Sequence, residues 1–328
     1  MYAKCYEMIE LPVPEAVKVC KGVEMISWKA TKSGLVVLSA AALFGQTFYA
    51  PKGKPAQYTA PHKPHTKLAE VKSSHAGQPR WRHTVVDDMH LNSVWVQAQP
   101  GDKEPQQLHP DTRTWWVIQE GEIRFNIEGQ PKPIVGRKGS MVQVPMATIF
   151  SMETIGDKPS LRFETNIAHA KTLYVNQTEA PKMPGFNFVP GSFTRKDVMG
   201  VYLHNNKPHV HYDEVAEGVD SGKLKGTIRI VQDDRGTSNF IYGRNSALPA
   251  LDEKNKGHWH PEGAEYWLIM KGQIRYPIED VGVVIASEGD VVYVPPYTYH
   301  APRWWGEGAS CRLAFNGFPY IAHLFEAH

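Results

Sequence analysis

Four side chains near the C-terminus have the types and spacing to hold a metal ion: His258-x-His260-x4-Glu265, then His300 thirty-five residues later. At strand spacing His258 and His260 project to the same face, because side chains repeat every two residues. Glu265 can join them from the next strand and His300 from a later one. Three imidazoles and a carboxylate form a borderline site suited to one divalent ion per chain, with Fe, Mn, Ni, Cu and Zn all compatible. Four protein ligands on an octahedral ion leave two positions for substrate, water or dioxygen.

The elements that must position these ligands occur twice. Gln107–Phe125 (QLHPDTRTWWVIQEGEIRF) aligns with His258–Tyr276 (HWHPEGAEYWLIMKGQIRY) at an offset of 151. His109/His260, Pro110/Pro261, Trp116/Trp267, Gly121/Gly272 and Arg124/Arg275 are among the shared positions. Gly139–Phe150 then aligns with Gly289–His300 at an offset of 150, sharing Gly139/Gly289, Pro145/Pro295 and Thr148/Thr298. Runs such as Trp115–Ile118, Glu122–Ile127 and Met141–Val144 are short, β-branched or aromatic and punctuated by Gly or Pro, which reads as strands. Between residues 90 and 318 only Asp213–Glu217 suggests a helical period. The expected fold class is all-β, with two barrels or sandwiches in tandem.

These blocks resemble the paired motifs of the cupin superfamily: a Gly, His-x-His and Glu block followed by a Gly, Pro and His block. The resemblance covers about residues 93–166 and 239–318, which describes a bicupin. It implies two small jelly-roll (double-stranded β-helix) barrels, with metal-ligand duty on His258, His260, Glu265 and His300. Two positions depart from the pattern. Asn255 and its polar neighbours stand where a Gly often precedes the first His, and Tyr297 replaces a turn Gly.

The first copy cannot do the same work. Its aligned positions hold Gln107, His109, Thr114 and Phe150, and one imidazole among an amide, a hydroxyl and a phenyl ring is a poor ligand set. This barrel is expected to be metal-free, with His109 a core histidine or a pocket donor, and to serve packing, dimerisation or shielding. Around the intact site, Trp267 and Ile269 share strand parity with Glu265 and should line the interior. Trp267, Tyr293 and Arg275 are the candidate pocket residues for a small organic ligand. Arg275 could clamp a carboxylate, although Arg124 in the first copy favours a shared structural ion pair. His204, His209 and His211 with Asp213 and Glu214 form a further cluster, read as a lid, a supporting element or a solvated connection.

The division expected is an N-terminal extension over residues 1–50, an arm or linker over 51–80, a first barrel over 81–175 and the metal-binding barrel over 176–328. His62, His65 and His75 read as solvated linker residues. Gly34–Ala50 is apolar and flanked by Lys29, Lys32, Lys52 and Lys54. It resembles the apolar part of a secretory signal peptide, which places the mature protein in a periplasm or outside the cell. Read as a helix packed on the body, the same segment leaves the protein cytoplasmic. Neither reading keeps the processed chain in a membrane.

Composition sets the remaining bounds. Residues 1–50 hold five Lys/Arg and four Asp/Glu, which leaves 31 and 30 for the rest. No basic stripe is present, which argues against nucleic acid as a partner. Of Cys5, Cys20 and Cys311, only the last lies in the body, so neither an internal disulfide nor a cysteine metal site is available there. Three function classes fit: a metal-dependent dioxygenase acting on a small organic substrate, a redox-neutral decarboxylase, lyase or isomerase, and a non-enzymatic binding protein. The intact site, aromatic surroundings and spent partner barrel favour an enzyme, and of the two enzyme classes the dioxygenase is the one expected. A homo-oligomer is compatible with all three.

Overall fold

The structure is a computed structural model and describes residues 49–175, 182–195, 202, 206–318 and 321–326. The signal-like segment, apart from its last two residues, and His204 lie outside the described residues.

The chain from Phe48 onward is one compact all-β unit built from two barrels. The first barrel's large sheet runs, edge to edge, His209–His211, Ser140–Val144, Thr114–Glu120, Ser160–Ile167, Leu91–Ala98 and Trp81–Asp87. A second sheet of Leu173–Tyr174, Lys103–Leu108, Phe150–Ile155, Glu122–Ile127 and Ile134–Arg137 closes it. The second barrel repeats the large sheet with His65–Thr66, Val291–Val294, Glu265–Lys271, Ala309–Asn316, Gly236–Arg244 and Thr227–Asp233. Gly282–Ser287, Gln273–Ile278 and Arg303–Trp305 form its other side.

The apolar runs TWWVIQ and EYWLIM are buried on both faces, as the absence of polar alternation demands. Trp116 and Ile118 point into the first barrel, and Trp267 and Ile269 into the second. The intervening Trp115, Val117, Tyr266 and Leu268 share a third core between the two large sheets. There Tyr266 and Phe315 stack at 4.7 Å, and the Tyr266 hydroxyl lies 2.7 Å from Ser93 Oγ of the first barrel.

The barrels exchange their leading segments. His65–Thr66 pairs with Val291–Val292 of the second barrel, while His209–His211 pairs with Ser140–Val142 of the first. Each edge strand runs into a short helix, Leu68–Ser74 or Tyr212–Asp220. The structure therefore corrects the contiguous halves expected from the sequence: each barrel borrows its edge from the segment ahead of the other. It also corrects the solvated arm. His65 Nε2 lies 2.8 Å from Asp290, His62 stacks on Tyr293, and His75 stacks on Trp81. Leu68 and Val71 are buried. No helix among the described residues is long and apolar enough to cross a membrane.

Candidate metal centre

His258 and His300 are locked opposite each other by two backbone hydrogen bonds, from His258 N to His300 O at 3.1 Å and from His300 N to His258 O at 2.9 Å. Gly257 makes this approach feasible. Its φ is +76°, and a Cβ there would stand 1.9 Å from the His300 carbonyl oxygen, so only Gly fits. The small residue before the first His is thus Gly257, directly adjacent to it, and not Asn255. Tyr297 adopts φ 62° and donates its N–H to the His260 carbonyl at 2.8 Å. The turn keeps its left-handed residue without a Gly, and Ala147 (φ 56°) does the same beside His109 in the first barrel.

These constraints bring one ligand atom each from His258, His260, Glu265 and His300 within 4.8 Å of one another. Glu265 Oε2 is 2.9 Å from His260 Nε2, 3.3 Å from His300 Nε2 and 3.9 Å from His258 Nε2. His260 Nδ1 lies 2.8 Å from the Ala322 carbonyl and His300 Nδ1 2.9 Å from the Thr298 carbonyl. A carbonyl only accepts, so both Nδ1 atoms carry the hydrogen and both Nε2 atoms face Glu265, the usual support of a ligating histidine. His258 Nε2 is buried with no hydrogen-bond partner, a cost that a cation in the cluster relieves. Donors bound at about 2.1 Å to one ion stand roughly 3–4 Å apart, close to the spacing found. The donor set fits a divalent ion.

Electrostatics agree with this geometry. Burial pushes Glu265 up, but the imidazoles of His258, His260 and His300 around it outweigh that and hold the carboxyl well below the usual range. Burial lowers His258. Burial also opposes charge on His260, yet the Glu265 hydrogen bond wins and raises it. In the metal-free protein the Glu265 contribution is present above the ordinary carboxylate range and is lost as pH falls through its depressed value. The His260 contribution is full below about pH 6.5 and fades as pH rises through its raised value. A metal must displace that His260 proton. Zn²⁺ affinity measured by equilibrium dialysis should therefore rise about tenfold per pH unit through the histidine range and flatten above it. A pH-independent affinity across that range would contradict the assignment.

The sequence candidates divide. Trp267 is 1% exposed with its ring 5.2 Å from His300, so it does line the site. Tyr293 does not. Its neighbours Val292 and Val294 face the barrel interior, so strand parity turns Tyr293 outward against His62, Tyr58 and Asp88. Arg275 likewise alternates with the interior Ile274 and Tyr276; it pairs with Glu253 and lies over Trp305. Arg124 is also ion-paired, to Glu153 at 3.1 Å.

A residue that the sequence did not flag is His323. Its ring lies 4.7 Å from those of both His258 and His260, because Leu324–Phe325 pairs with His258–Trp259. The repeat does not reach that far, so no motif marked it.

In the first barrel, Gln107 bonds Glu104, His109 donates to the Lys171 carbonyl, and Thr114 donates to the Thr165 carbonyl. Phe150 packs on Trp116. His209 bonds Ser140, and His211 bonds the Lys138 carbonyl and caps the following helix through the Asp213 N–H. That cluster serves the exchanged strand. Among the described residues, His258, His260, Glu265 and His300 are the one cluster placed to ligate a metal ion.

Residues 249–315 match the family model described as the cupin domain. That segment is therefore a cupin domain, and the two-barrel fold that holds it is bicupin-like. No curated protein sequence matches the chain. Among solved structures, it is similar to a variant of salicylate 1,2-dioxygenase from Pseudoaminobacter salicylatoxidans, at 13% identity and TM-score 0.59, covering 85% of this chain and 90% of that one. Adducts of the same enzyme with gentisate give 12% identity and TM-score 0.57, covering 80% and 85%. At these identities the likeness is one of fold.

Proposed function

We propose that this bicupin-like protein is a metal-dependent dioxygenase acting on a small organic substrate in its C-terminal barrel. The observation that carries this reading is the convergence of His258, His260, Glu265 and His300 with their Nε2 atoms and carboxylate inward. These four residues would hold one divalent ion. Such an ion, when bound, supplies Lewis acidity and, for a redox-active metal, access to dioxygen chemistry. The protein's own contribution is orientation and exclusion of water. The Ala322 and Thr298 carbonyls fix two imidazoles. Trp267 packs against His300 from the buried side, and His323 and Phe325 cover His258 from the other. The fold it shares with salicylate 1,2-dioxygenase supports aromatic carboxylates as the first substrates to try.

The test is dioxygen uptake by protein loaded in turn with Fe²⁺, Mn²⁺, Ni²⁺ or Cu²⁺, against a panel of hydroxylated aromatic acids. Stoichiometric uptake with one metal and one substrate is the expected result. Turnover without uptake would move the protein to the decarboxylase, lyase or isomerase class. Tight metal binding without turnover would make it a binding protein.

A further inference from the structure

The internal repeat continues beyond the metal motifs into the last large-sheet strand of each barrel. Ser160-x-Arg162-x3-Asn166 matches Ser310-x-Arg312-x3-Asn316 at an offset of 150. In both strands the alternate residues Leu161, Phe163, Cys311, Leu313 and Phe315 face the core between the barrels. Arg162 and Arg312 therefore point into their respective barrels.

The two arginines have different company. Arg162 is ion-paired to Glu104 and Glu164, and Glu164 in turn pairs with Arg82 at 2.8 Å and accepts from Trp116 at 3.0 Å. The first barrel thus neutralises its buried cation with its own carboxylates. In the second barrel the position of Glu164 is Ala314, that of Glu104 is Asn255, and that of Arg82 is Thr227 by strand register. Arg312 is 9% exposed, its guanidinium lies over the Trp304 ring at 4.6 Å, and its Nε and Nη1 have no hydrogen-bond partner. The hydroxyl of Tyr276, a fully buried interior residue, is also unpartnered. Trp267 connects this end to the metal centre, 5.0 Å from Tyr276 and 5.2 Å from His300. Glu265 acts on Arg312 only from a distance, with no ion pair between them; a buried guanidinium with no carboxylate bonded to it is costly to keep, and its planar set of N–H donors matches a carboxylate.

We infer that Arg312, assisted by Tyr276, is the anchor for a carboxylate carried by the small molecule that enters the C-terminal barrel. The ligand's carboxylate takes the place that Glu164 fills in the first barrel. This rests on the reading of that barrel as a small-molecule site, but it does not depend on which reaction follows. Arg312 acts by binding, and the metal residues are not part of its role.

The experiment measures thermal stability of the full-length protein, as isolated and after chelation. The probes are formate, acetate and benzoate, with formamide, acetamide and benzamide as neutral controls at matched ionic strength. At least one carboxylate should raise Tm by about 3 °C at ten times its Kd, while the matching amide does not. Arg312→Met should fold with an unliganded Tm no lower than wild type, since it removes an unpaired buried charge. It should weaken the effective carboxylate at least about tenfold. Ala314→Glu, which rebuilds the first barrel's pairing, should abolish the shift as well. Equal shifts from amides, no shift from any carboxylate, or a carboxylate shift that survives in Arg312→Met would overturn the inference. Carboxylate binding through Arg312 without dioxygen uptake would leave it standing and remove the dioxygenase reading. Dioxygen uptake with an aromatic acid whose KM is unchanged in Arg312→Met would do the reverse.

Discussion

Replacing His260 by Ala should empty the C-terminal barrel of metal, whereas His109→Ala should leave the metal content of the protein unchanged. The two residues are aligned in the repeat and each donates Nδ1–H to a backbone carbonyl. What differs is the company of Nε2. His260 faces the Glu265 carboxylate at 2.9 Å, with His258 and His300 beside it. His109 faces Phe150, its ring 5.6 Å away at a tilt. Loss of a group that merely orients a ligand costs about 10–100-fold in affinity, so loss of the ligand itself should exceed 100-fold. His109→Ala should instead cost about 1–3 kcal/mol of stability through the unpaired Lys171 carbonyl. Metal analysis of both purified variants, with Tm measured alongside, checks the pair. Full metal retention in His260→Ala would contradict the site.

Phe315→Ala is expected to destabilise both barrels together. Its ring is fully buried and stacks on Tyr266 at 4.7 Å, meets Phe163 at 5.7 Å and lies 6.4 Å from Trp115. Two of those partners belong to the first barrel. Truncating such a ring costs about 3–5 kcal/mol, which for a unit of this size lowers Tm by roughly 10 °C. Because the core between the barrels is shared and each barrel borrows the other's leading strand, calorimetry should show a single transition that moves as a whole. Two transitions, with only one displaced, would show that the barrels fold independently.

Much of this was legible in the sequence because the repeat multiplies weak signals. Trp116/Trp267 and Gly121/Gly272 mark the same strand and turn twice, and the doubly buried runs announce strands with cores on either side. The ligand set was legible because His-x-His spacing is local, and strand parity carried Trp267 and Ile269 correctly to the interior. Tyr293 and Arg275 were misplaced where the same parity argument was not applied to their own strands. Arg312 lies beyond the metal motifs, and although Ser, Arg and Asn recur in its strand in register, a lone recurring Arg does not reveal that its carboxylate partners are missing from the second copy. The exchanged edges and His323 were out of reach for a physical reason. The pairings His65 with Val292 and His258 with Phe325 are long-range backbone contacts, and no side-chain pattern encodes them. The arm's five prolines suggested an extended chain, which it partly is, but could not show what it lies against.

The second barrel, and only the second barrel, should hold a metal through His258, His260, Glu265 and His300. Anomalous X-ray diffraction from crystals of the metal-loaded protein, collected on either side of the metal's absorption edge, tests it most directly. One anomalous peak per chain is expected, enclosed by those four side chains. A peak beside His109, two peaks of equal height in the two barrels, or none among the four ligands would contradict it.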